Sequence, residues 1–342
     1  MKSQFVENYK NKFVNEFKNI GINKDLAERV YTSRLLGNNK DLVLHGGGNT
    51  SVKSIARDAQ GEKHDVIFIK GSGSDLSSIK PEDFPAVKLN PLKKIIQKNN
   101  VTDDEMVKFL KQNLINSSSP NPSVETLVHS IIKEKFVDHT HSNAILEITN
   151  RKDGYKLCKK IFGNKIIVIP YVMPGFLLAR KVSQLYKYNP QIHGMILYRH
   201  GIFSYGATAK ESYNRMIKLV SIAEKYLSTE KIKKMKKINE KKIIFKSSDI
   251  APLIRGAISH NKSYILNFRT NQALLDIINI KDAKKILGRG VVTPDHVIRT
   301  KPKYLVINID NCKNLRSLEI KLNNEISRYS KNYVKYFKTH NK

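Results

Sequence analysis

The sequence predicts an α/β protein in which helices and strands alternate along two successive parts of the chain. Short apolar runs typical of buried strands recur between amphipathic stretches, of which residues 208–227 are the most regular. A lysine-rich block at residues 231–242 separates a long first part from a shorter second part. We therefore expect one domain at residues 1–230 and a smaller C-terminal α/β extension at residues 231–342.

Apolar spacing defines the predicted elements of the first part. Leu26 and Val30 recur at helical spacing, whereas short runs such as residues 65–69 indicate strands. Pro122 and Ser123 favour the start of a helix that carries Glu125 and His129. In chain order we predict helices at 5–19 and 23–36, strands at 41–44 and 65–69, a helix at 103–115, the helix from 122, strands at 136–141, 166–170, 194–200 and 202–205, and the helix at 208–227.

The second part repeats this alternation on a smaller scale. We predict a helix at 248–259, a strand at 264–266, a helix at 271–278, a strand at 304–307 and a terminal helix at 313–337. The chain has no internal repeat of the length typical of solenoid proteins.

The charge of the chain raises the question of a polyanionic partner. Its 342 residues include 61 Lys+Arg and 30 Asp+Glu, a net charge of +31. The excess comes from 48 lysines rather than from the 13 arginines, and arginine is the residue favoured for paired contacts to phosphates and bases. The block at residues 231–242 is typical of a solvated helix or linker. We therefore do not expect nucleic-acid binding.

Nothing in the sequence indicates a membrane or an oxidising compartment. No apolar run approaches the roughly 20 residues of a membrane-spanning helix, and the N-terminus lacks the apolar stretch of a signal peptide. Cys158 and Cys312 cannot build a disulfide framework and lack the spacing of a metal site. We expect a cytoplasmic protein without a membrane partner.

The segment His139-Thr140-His141 is the sharpest local signal. Residues i and i+2 of a strand point to the same face, so two imidazoles in these positions can share one metal ion. A third ligand must come from elsewhere, and His200, which ends a predicted strand and precedes a glycine, is a candidate. The alternative is that each histidine lies alone on a polar surface.

Two glycine-containing loops are candidates for binding an anion. The first runs from His45 through three glycines to Asn49, and the second is Gly71-Ser72-Gly73-Ser74. Glycine lets a backbone approach an anion closely and point N–H groups at it. Neither loop matches a Walker A or dinucleotide-binding motif. The alternative is an ordinary glycine-rich turn in each place.

Glu125 is a candidate proton carrier. A carboxylate in the first turn of a helix is favoured by the helix dipole and is commonly structural. It could act as a general acid or base if it faces a metal-bound substrate. No Ser or Cys lies in the sequence context of a catalytic triad.

Together these motifs resemble the class II aldolase/adducin superfamily. The segments that carry the resemblance are LHGGGNTSVK, KGSGSDL, PNPSVETLVH, KFVDHTHSNA, IPYVMPGF, RHG and TPDHVIRTKP. They are most similar to the aldolase portion of bifunctional rhamnulose-1-phosphate aldolase/lactaldehyde (alcohol) dehydrogenase proteins, over nearly the whole chain. The resemblance implies a three-layer α/β/α sheet sandwich with a smaller C-terminal α/β domain.

The resemblance also implies a site and a reaction. His139, His141 and His200 would bind one Zn²⁺ per subunit, and Glu125 would be the catalytic acid/base. The residues implied to bind the substrate phosphate are Asn49, Ser72, Gly73 and Ser123. The implied reaction cleaves a ketose 1-phosphate, similar to rhamnulose 1-phosphate, to dihydroxyacetone phosphate and lactaldehyde through a metal-stabilised enediolate. The implied assembly is a homotetramer.

The sequence departs from the family pattern in three places. Val124 stands where members usually have a second serine before the glutamate, so one hydroxyl contact to the phosphate is missing. The spacing between Glu125 and His139 is shorter than in single-function aldolases, which marks the bifunctional subgroup. No dinucleotide-binding glycine motif follows, so the dehydrogenase half is either a separate partner chain or absent from a fragment.

Other functions stay open. The same site suits a superfamily epimerase, decarboxylase or dehydratase acting on another sugar or sugar acid. A non-catalytic adducin-like interaction protein is disfavoured, because such proteins are expected to lose the metal-binding histidines. In the last motif, Arg299 could pair with a substrate anion, but we favour a structural turn begun by Pro294 and Asp295 and do not include its His296, Arg299 and Lys301 in the site.

Overall fold

The structure, a computed structural model, describes residues 1–186, 189, 191–230, 238, 245–259 and 262–341. The chain divides into two units. The first comprises Met1–Lys231 together with Val292–Arg299, and the second comprises Ile232–Val291 and Thr300–Lys342. The first unit therefore includes a short segment that is distant in sequence from the rest of it. Apart from Ile238, the lysine-rich block at residues 231–242 lies outside the described residues.

Strands occur in the first unit and helices in both. The strands are β1 (Asn49–Arg57), β2 (Lys63–Ile69), β3 (Ala86–Lys88), β4 (Phe136–Thr140), β5 (Ile166–Ile169), β6 (Gly194–Leu197) and β7 (Gly201–Gly206). The helices are α1 (Glu7–Lys18), α2 (Lys24–Gly37), α3 (Leu89–Ile95), α4 (Asp103–Gln112), α5 (Thr126–Ile131), α6 (Asn143–Thr149), α7 (Gly154–Phe162), α8 (Phe176–Leu185), α9 (Ala209–Thr229), α10 (Ser247–Ile258), α11 (Gln272–Ile278), α12 (Ala283–Leu287), α13 (Pro294–Arg299) and α14 (Leu315–His340). None of the helices in the described residues is long and apolar enough to cross a membrane.

One sheet with the strand order β3-β2-β1-β4-β7-β6-β5 forms the centre of the first unit. Neighbouring strands are antiparallel except β5 and β6, which are parallel. The sheet separates two apolar cores, because successive side chains alternate between its faces; on β7, Ile202 packs into one core and Phe203 into the other. Helices α2 and α9 contribute to the first core, and α3, α5 and α8 to the second. The predicted α/β class and three-layer organisation are confirmed.

Several predicted elements of the first unit form with small shifts at their ends. Helices α1, α2 and α9 occupy the segments predicted as helices at 5–19, 23–36 and 208–227. The Thr208 side chain caps α9 by accepting a hydrogen bond from Glu211 N at 3.1 Å. Strands β2 and β4 to β7 overlap the runs predicted as strands.

The strand predicted at 41–44 is wrong, because this segment is a turn that follows α2. Leu42 N and Val43 N both donate to Asn39 O, at 2.9 and 3.2 Å. The side chains of Leu42 and Val43 are buried in the first core. These two residues are therefore apolar because they are buried in the core, and not because they belong to a strand.

The helix predicted from Pro122 begins later, at Thr126. The preceding residues instead run along the second glycine loop: Ser72 N donates to Asn121 O at 2.7 Å, and Ser123 N donates to Lys70 O at 3.2 Å. These two hydrogen bonds hold the segment in an extended form, so the helix cannot begin at Pro122.

In the second unit the predicted helices form as α10, α11 and α14, but the predicted strands at 264–266 and 304–307 do not form. A small apolar core in this unit contains Phe245, Leu318 and Leu322. Ile265 is fully exposed. The apolar residues of these segments therefore pack against no sheet in the described part of the unit.

Candidate active site

Three histidines from separate positions in the chain converge in the first unit. His139 lies on β4, His141 follows it, and His200 lies in the turn between β6 and β7. Their ring centroids are 4.9, 5.0 and 5.1 Å apart, and all three side chains are buried. Their nitrogens lie within 4.8 Å of one another, so the three predicted ligands form a group that could hold a metal ion.

The turn between β6 and β7 brings His200 to the other two histidines. Arg199 adopts a left-handed backbone conformation with φ of 60°, which reverses the chain sharply. Gly201 follows, and a Cβ at this position would overlap Thr140 O and the rings of His139 and His141. The glycine after His200 is therefore required for close approach of this turn to β4.

The second nitrogen of two of these rings is engaged elsewhere. His139 Nδ1 donates to Ile202 O at 3.1 Å, because a carbonyl can only accept. His141 Nδ1 lies 2.5 Å from Asp295 Oδ1. Both contacts leave Nε2 as the free nitrogen, and the two Nε2 atoms are 3.1 Å apart. Two lone pairs at this distance repel unless a proton or a cation lies between them, which is the chemistry of a metal site.

Burial keeps two of these imidazoles in the form that binds metals. The pKa of His139 is lowered well below its ordinary value by burial and by the neighbouring His141 and His200. Burial lowers the pKa of His200 to about 4, although Glu125 opposes this shift. Neutral imidazole is the metal-binding form, so neither ring needs to lose a proton at neutral pH before it can act as a ligand.

Glu125 lies directly before α5, and its buried carboxylate faces the histidines. Oε2 is 3.4 Å from His139 Nε2 and accepts a hydrogen bond from Asn49 Nδ2 at 2.7 Å. Oε1 is 3.5 Å from His200 Nε2 and has no hydrogen-bond partner within the described residues. A buried carboxylate oxygen without a donor is costly, so this atom indicates a position that receives a ligand or a proton.

A buried histidine outside the predicted site orients Asn49. His129 Nε2 is 2.5 Å from Asn49 Oδ1, and because an amide oxygen only accepts, Nε2 carries the proton. His129 Nδ1 then accepts from Ser51 Oγ at 2.8 Å. Burial lowers the pKa of His129 well below its ordinary value, which agrees with this neutral form. With Oδ1 fixed, the Asn49 amide directs Nδ2 to Glu125 and to Ser123 Oγ, the latter at 3.1 Å.

Two cations join the glycine loops. Lys70 Nζ donates to Gly46 O at 2.8 Å and to Ser74 O at 2.7 Å. Arg299 Nε donates to His45 O at 2.8 Å, and its Nη2 donates to Gly73 O at 3.1 Å. Burial lowers the pKa of Lys70 to about 8. The two predicted anion-binding loops are therefore neighbours in the fold.

The structure brings most of the predicted site residues together. Asn49, Ser123, Glu125 and the three histidines form one buried group, whereas Ser72 and Gly73 are exposed on the second loop. The contributions of His129, Lys70 and Asp295 were not predicted. Asp295 belongs to the TPDH motif, where we favoured a turn; the segment is helix α13 instead. Val124, beside Glu125, is 42% exposed.

Family models match both units of the chain. The model described as "Class II Aldolase and Adducin N-terminal domain" matches residues 27–227, and "Aldolase class II, second domain" matches residues 246–342. The chain belongs to the class II aldolase and adducin family. This membership confirms the superfamily predicted from the motifs, while the rhamnulose-1-phosphate aldolase subgroup stays a prediction.

Several relatives of this class II aldolase family member are known. The "uncharacterized oxidoreductase YuxG" of Bacillus subtilis is 32% identical over 326 residues, which cover 92% of this chain and 47% of YuxG. This chain therefore spans about half the length of that relative. A methylthioribulose-1-phosphate dehydratase of Pectobacterium atrosepticum is 29% identical over 185 residues, covering 48% of this chain and 76% of the dehydratase.

A solved structure extends the comparison to the fold. The N-terminal class II aldolase domain of a conserved protein from Thermoplasma acidophilum is 39% identical, with a TM-score of 0.59. The match covers 66% of this chain and 99% of that one. The likeness therefore spans a stretch about as long as the first unit.

Proposed function

We propose that this class II aldolase family member is a divalent-metal-dependent lyase acting on a phosphorylated ketose. The proposed reaction is aldol cleavage of a rhamnulose 1-phosphate-like substrate to dihydroxyacetone phosphate and lactaldehyde. The observation that carries the proposal is the convergence of three buried imidazoles with one buried carboxylate. Nε2 of His139 and Nε2 of His200 each lie within 3.5 Å of a Glu125 oxygen, so metal donors and a proton carrier share one small space.

The donor set fits Zn²⁺, held by His139, His141 and His200 with one ion per subunit. Three neutral nitrogen ligands would leave the full charge of the ion available. When bound, the ion would supply Lewis acidity that withdraws electron density from the ketose carbonyl. The Ile202 carbonyl and the Asp295 carboxylate hold two of the rings with Nε2 facing inward.

Glu125 is the proposed proton carrier. In aldol cleavage the aldehyde fragment loses a hydroxyl proton, and the ketone fragment gains a proton on the carbon that keeps the electron pair of the broken C–C bond. Asn49 Nδ2 donates to Oε2 and fixes the carboxylate, while Oε1 is left to exchange a proton with the substrate. A proton carrier fixed in this way needs no reorganisation when the bond breaks.

The loops beside this carboxylate are proposed to hold the phosphate. The predicted phosphate-binding residues are Asn49, Ser72 and Gly73 of these loops and Ser123 of the segment before α5. Arg299 adds a cation, because two of its N–H groups bind loop carbonyls and the rest of its exposed guanidinium stays available. Such a contact would offset the hydroxyl that is missing at Val124. Remote phosphate binding then aligns the scissile bond.

A dehydratase is the second candidate, because the chain is 29% identical over 185 residues to a methylthioribulose-1-phosphate dehydratase. Such a reaction would use the same metal, carboxylate and phosphate site. It would break a C–O bond instead of a C–C bond. The two candidates therefore differ in their products and not in the architecture of the site.

The test combines metal analysis with a substrate panel. Wild-type protein is assayed for zinc content and for release of dihydroxyacetone phosphate from several ketose 1-phosphates, and separately for loss of water from methylthioribulose 1-phosphate. His139→Ala is expected to lose bound zinc and activity together. Activity that persists in zinc-free protein would overturn the proposal, and dehydration without release of dihydroxyacetone phosphate would select the second candidate.

We also propose that the active form is a homotetramer. Light scattering during size-exclusion chromatography measures the mass of the assembly directly. A particle of the monomer mass, 39.1 kDa, with full activity would contradict this assembly.

A further inference from the structure

The segment Val292–Arg299 belongs to the first unit, although the residues on either side of it belong to the second. It carries Asp295, whose two carboxylate oxygens both contact other residues. Asp295 is 2% exposed. Its Oδ1 lies 2.5 Å from His141 Nδ1, and its Oδ2 accepts from Leu44 N at 3.0 Å. Both oxygens are therefore fixed, and the carboxylate cannot rotate without breaking one of these contacts.

The first glycine loop is shaped around this carboxylate. A Cβ at Gly47 would overlap the Asp295 carboxyl group. Gly46 and Gly48 have positive φ, at 81° and 58°, but Gly47 does not. Glycine is therefore required at position 47 for space and not for backbone conformation, and the space is occupied by Asp295.

The three histidines differ in what holds their second nitrogen. His141 Nδ1 faces a carboxylate, His139 Nδ1 faces a neutral carbonyl, and His200 Nδ1 has no hydrogen-bond partner within the described residues. A carboxylate partner fixes the tautomer and the ring orientation and makes the opposite nitrogen a stronger donor. His141 is therefore the ligand that gains most from its surroundings.

We propose that Asp295 is a positioning residue for metal binding: it holds His141 so that Nε2 faces the metal site, and Gly47 provides the space for it. This inference rests on the proposed function, since it requires the three histidines to bind a divalent ion. It adds that the site is complete only when residues distant in sequence from the histidines, at 292–299, are in place.

The test measures metal affinity and needs no turnover. Purified metal-free wild type, Asp295→Ala and Asp295→Asn are titrated with Zn²⁺ against a chelator, and their Co²⁺ absorption spectra are recorded. Loss of an outer carboxylate typically weakens metal binding about 10- to 100-fold, so Asp295→Ala should fall in this range. Asp295→Asn should lose less, because its amide oxygen still accepts from His141 Nδ1. Asp153→Asn, a change at an exposed aspartate, is the matched control.

A second variant reaches the same contact without altering any charge. Gly47→Ala should displace the Asp295 carboxylate and weaken Zn²⁺ binding to a similar degree. Its control is Gly256→Ala, because no atom of the described residues lies within 4 Å of a Cβ added at that position. The double variant Gly47→Ala/Asp295→Ala should bind Zn²⁺ about as well as Asp295→Ala alone, because both changes remove one contact.

The outcomes separate this inference from the proposed function. If wild type binds no Zn²⁺, both fail. If wild type binds Zn²⁺ and Asp295→Ala binds it equally well with the same Co²⁺ spectrum, this inference alone is overturned. A lower free energy of unfolding of metal-free Asp295→Ala with unchanged Zn²⁺ affinity would assign Asp295 a purely structural role and would also overturn it.

Discussion

Two buried polar clusters lie on opposite faces of strand β4, and they differ in the groups that face their carboxylates. On one face Asp138 pairs with Arg29, and both side chains are fully buried with Nη2 and Oδ1 2.5 Å apart. Arg29 also donates to Thr32 Oγ1 at 2.6 Å, and Asp138 Oδ2 accepts from Ser212 Oγ at 2.5 Å. Each charged group of this cluster has partners inside the protein, which is the pattern of a structural ion pair.

The cluster on the other face leaves polar atoms unmatched. Nε2 of His139 faces Nε2 of His141 at 3.1 Å, and Glu125 Oε1 has no hydrogen-bond partner within the residues described. Burial is equally deep on both faces, so burial of polar groups does not identify a site. The neighbouring groups do: Asp138 Oδ1 faces the Arg29 cation, whereas Glu125 Oε1 faces the His200 imidazole, an arrangement that a bound cation would complete.

Removing the carboxylate of the second cluster should have the largest effect. Glu125→Gln keeps the size of the side chain and an acceptor for Asn49, but it abolishes proton transfer. We expect kcat to fall about 100- to 10,000-fold, with zinc content unchanged. Steady-state kinetics with metal analysis measures both, and Glu147→Gln on the exposed face of α6 is the control. Wild-type kcat in Glu125→Gln would exclude Glu125 as the proton carrier.

Breaking the first cluster should change stability and leave the metal site intact. Arg29→Met leaves Asp138 buried without its cation and should lower the free energy of unfolding by about 3–5 kcal/mol. Urea denaturation of the metal-free protein measures this loss, and Zn²⁺ affinity of the folded fraction should not change. Arg57→Met, at an exposed arginine on β1, is the control. A loss of Zn²⁺ affinity in Arg29→Met would contradict the separation of the two clusters.

The second cluster should also make the metal-free protein acid-sensitive. The pKa of His200 is about 4 in the folded chain, against an ordinary value of 6.5, so protons bind the unfolded chain preferentially. Stability is therefore full above pH 6.5 and falls as the pH decreases towards 4. Between pH 7 and pH 5 His200 should account for a loss of about 2 kcal/mol.

Urea denaturation of metal-free wild type and His200→Gln at these two pH values isolates the contribution of this histidine. His200→Gln should lose about 2 kcal/mol less than wild type over the interval. An identical loss in both proteins would show that His200 is not the group responsible.

Local patterns predicted the elements whose spacing had a direct structural meaning. His139 on β4 and His141, just after its end, do bring their Nε2 atoms within 3.1 Å of each other, and the amphipathic run at 208–227 is α9. The same reasoning failed at Leu42 and Val43, and again at residues 264–266. An apolar run indicates that side chains are buried, but it does not show whether a neighbouring strand is present to form a sheet.

By itself, the sequence determined the α/β class, the histidine pair and, through its motifs, the family and the residues proposed for the site. The tertiary structure decided which atoms meet. It brought His200 to the pair through a left-handed turn, turned Asn49 towards Glu125 through His129, and returned Asp295 to His141 across 154 positions of the chain. The physical reason is that hydrogen bonds and lone pairs depend on distance in space, and residues far apart in the chain become neighbours only when the sheet and its two cores have formed.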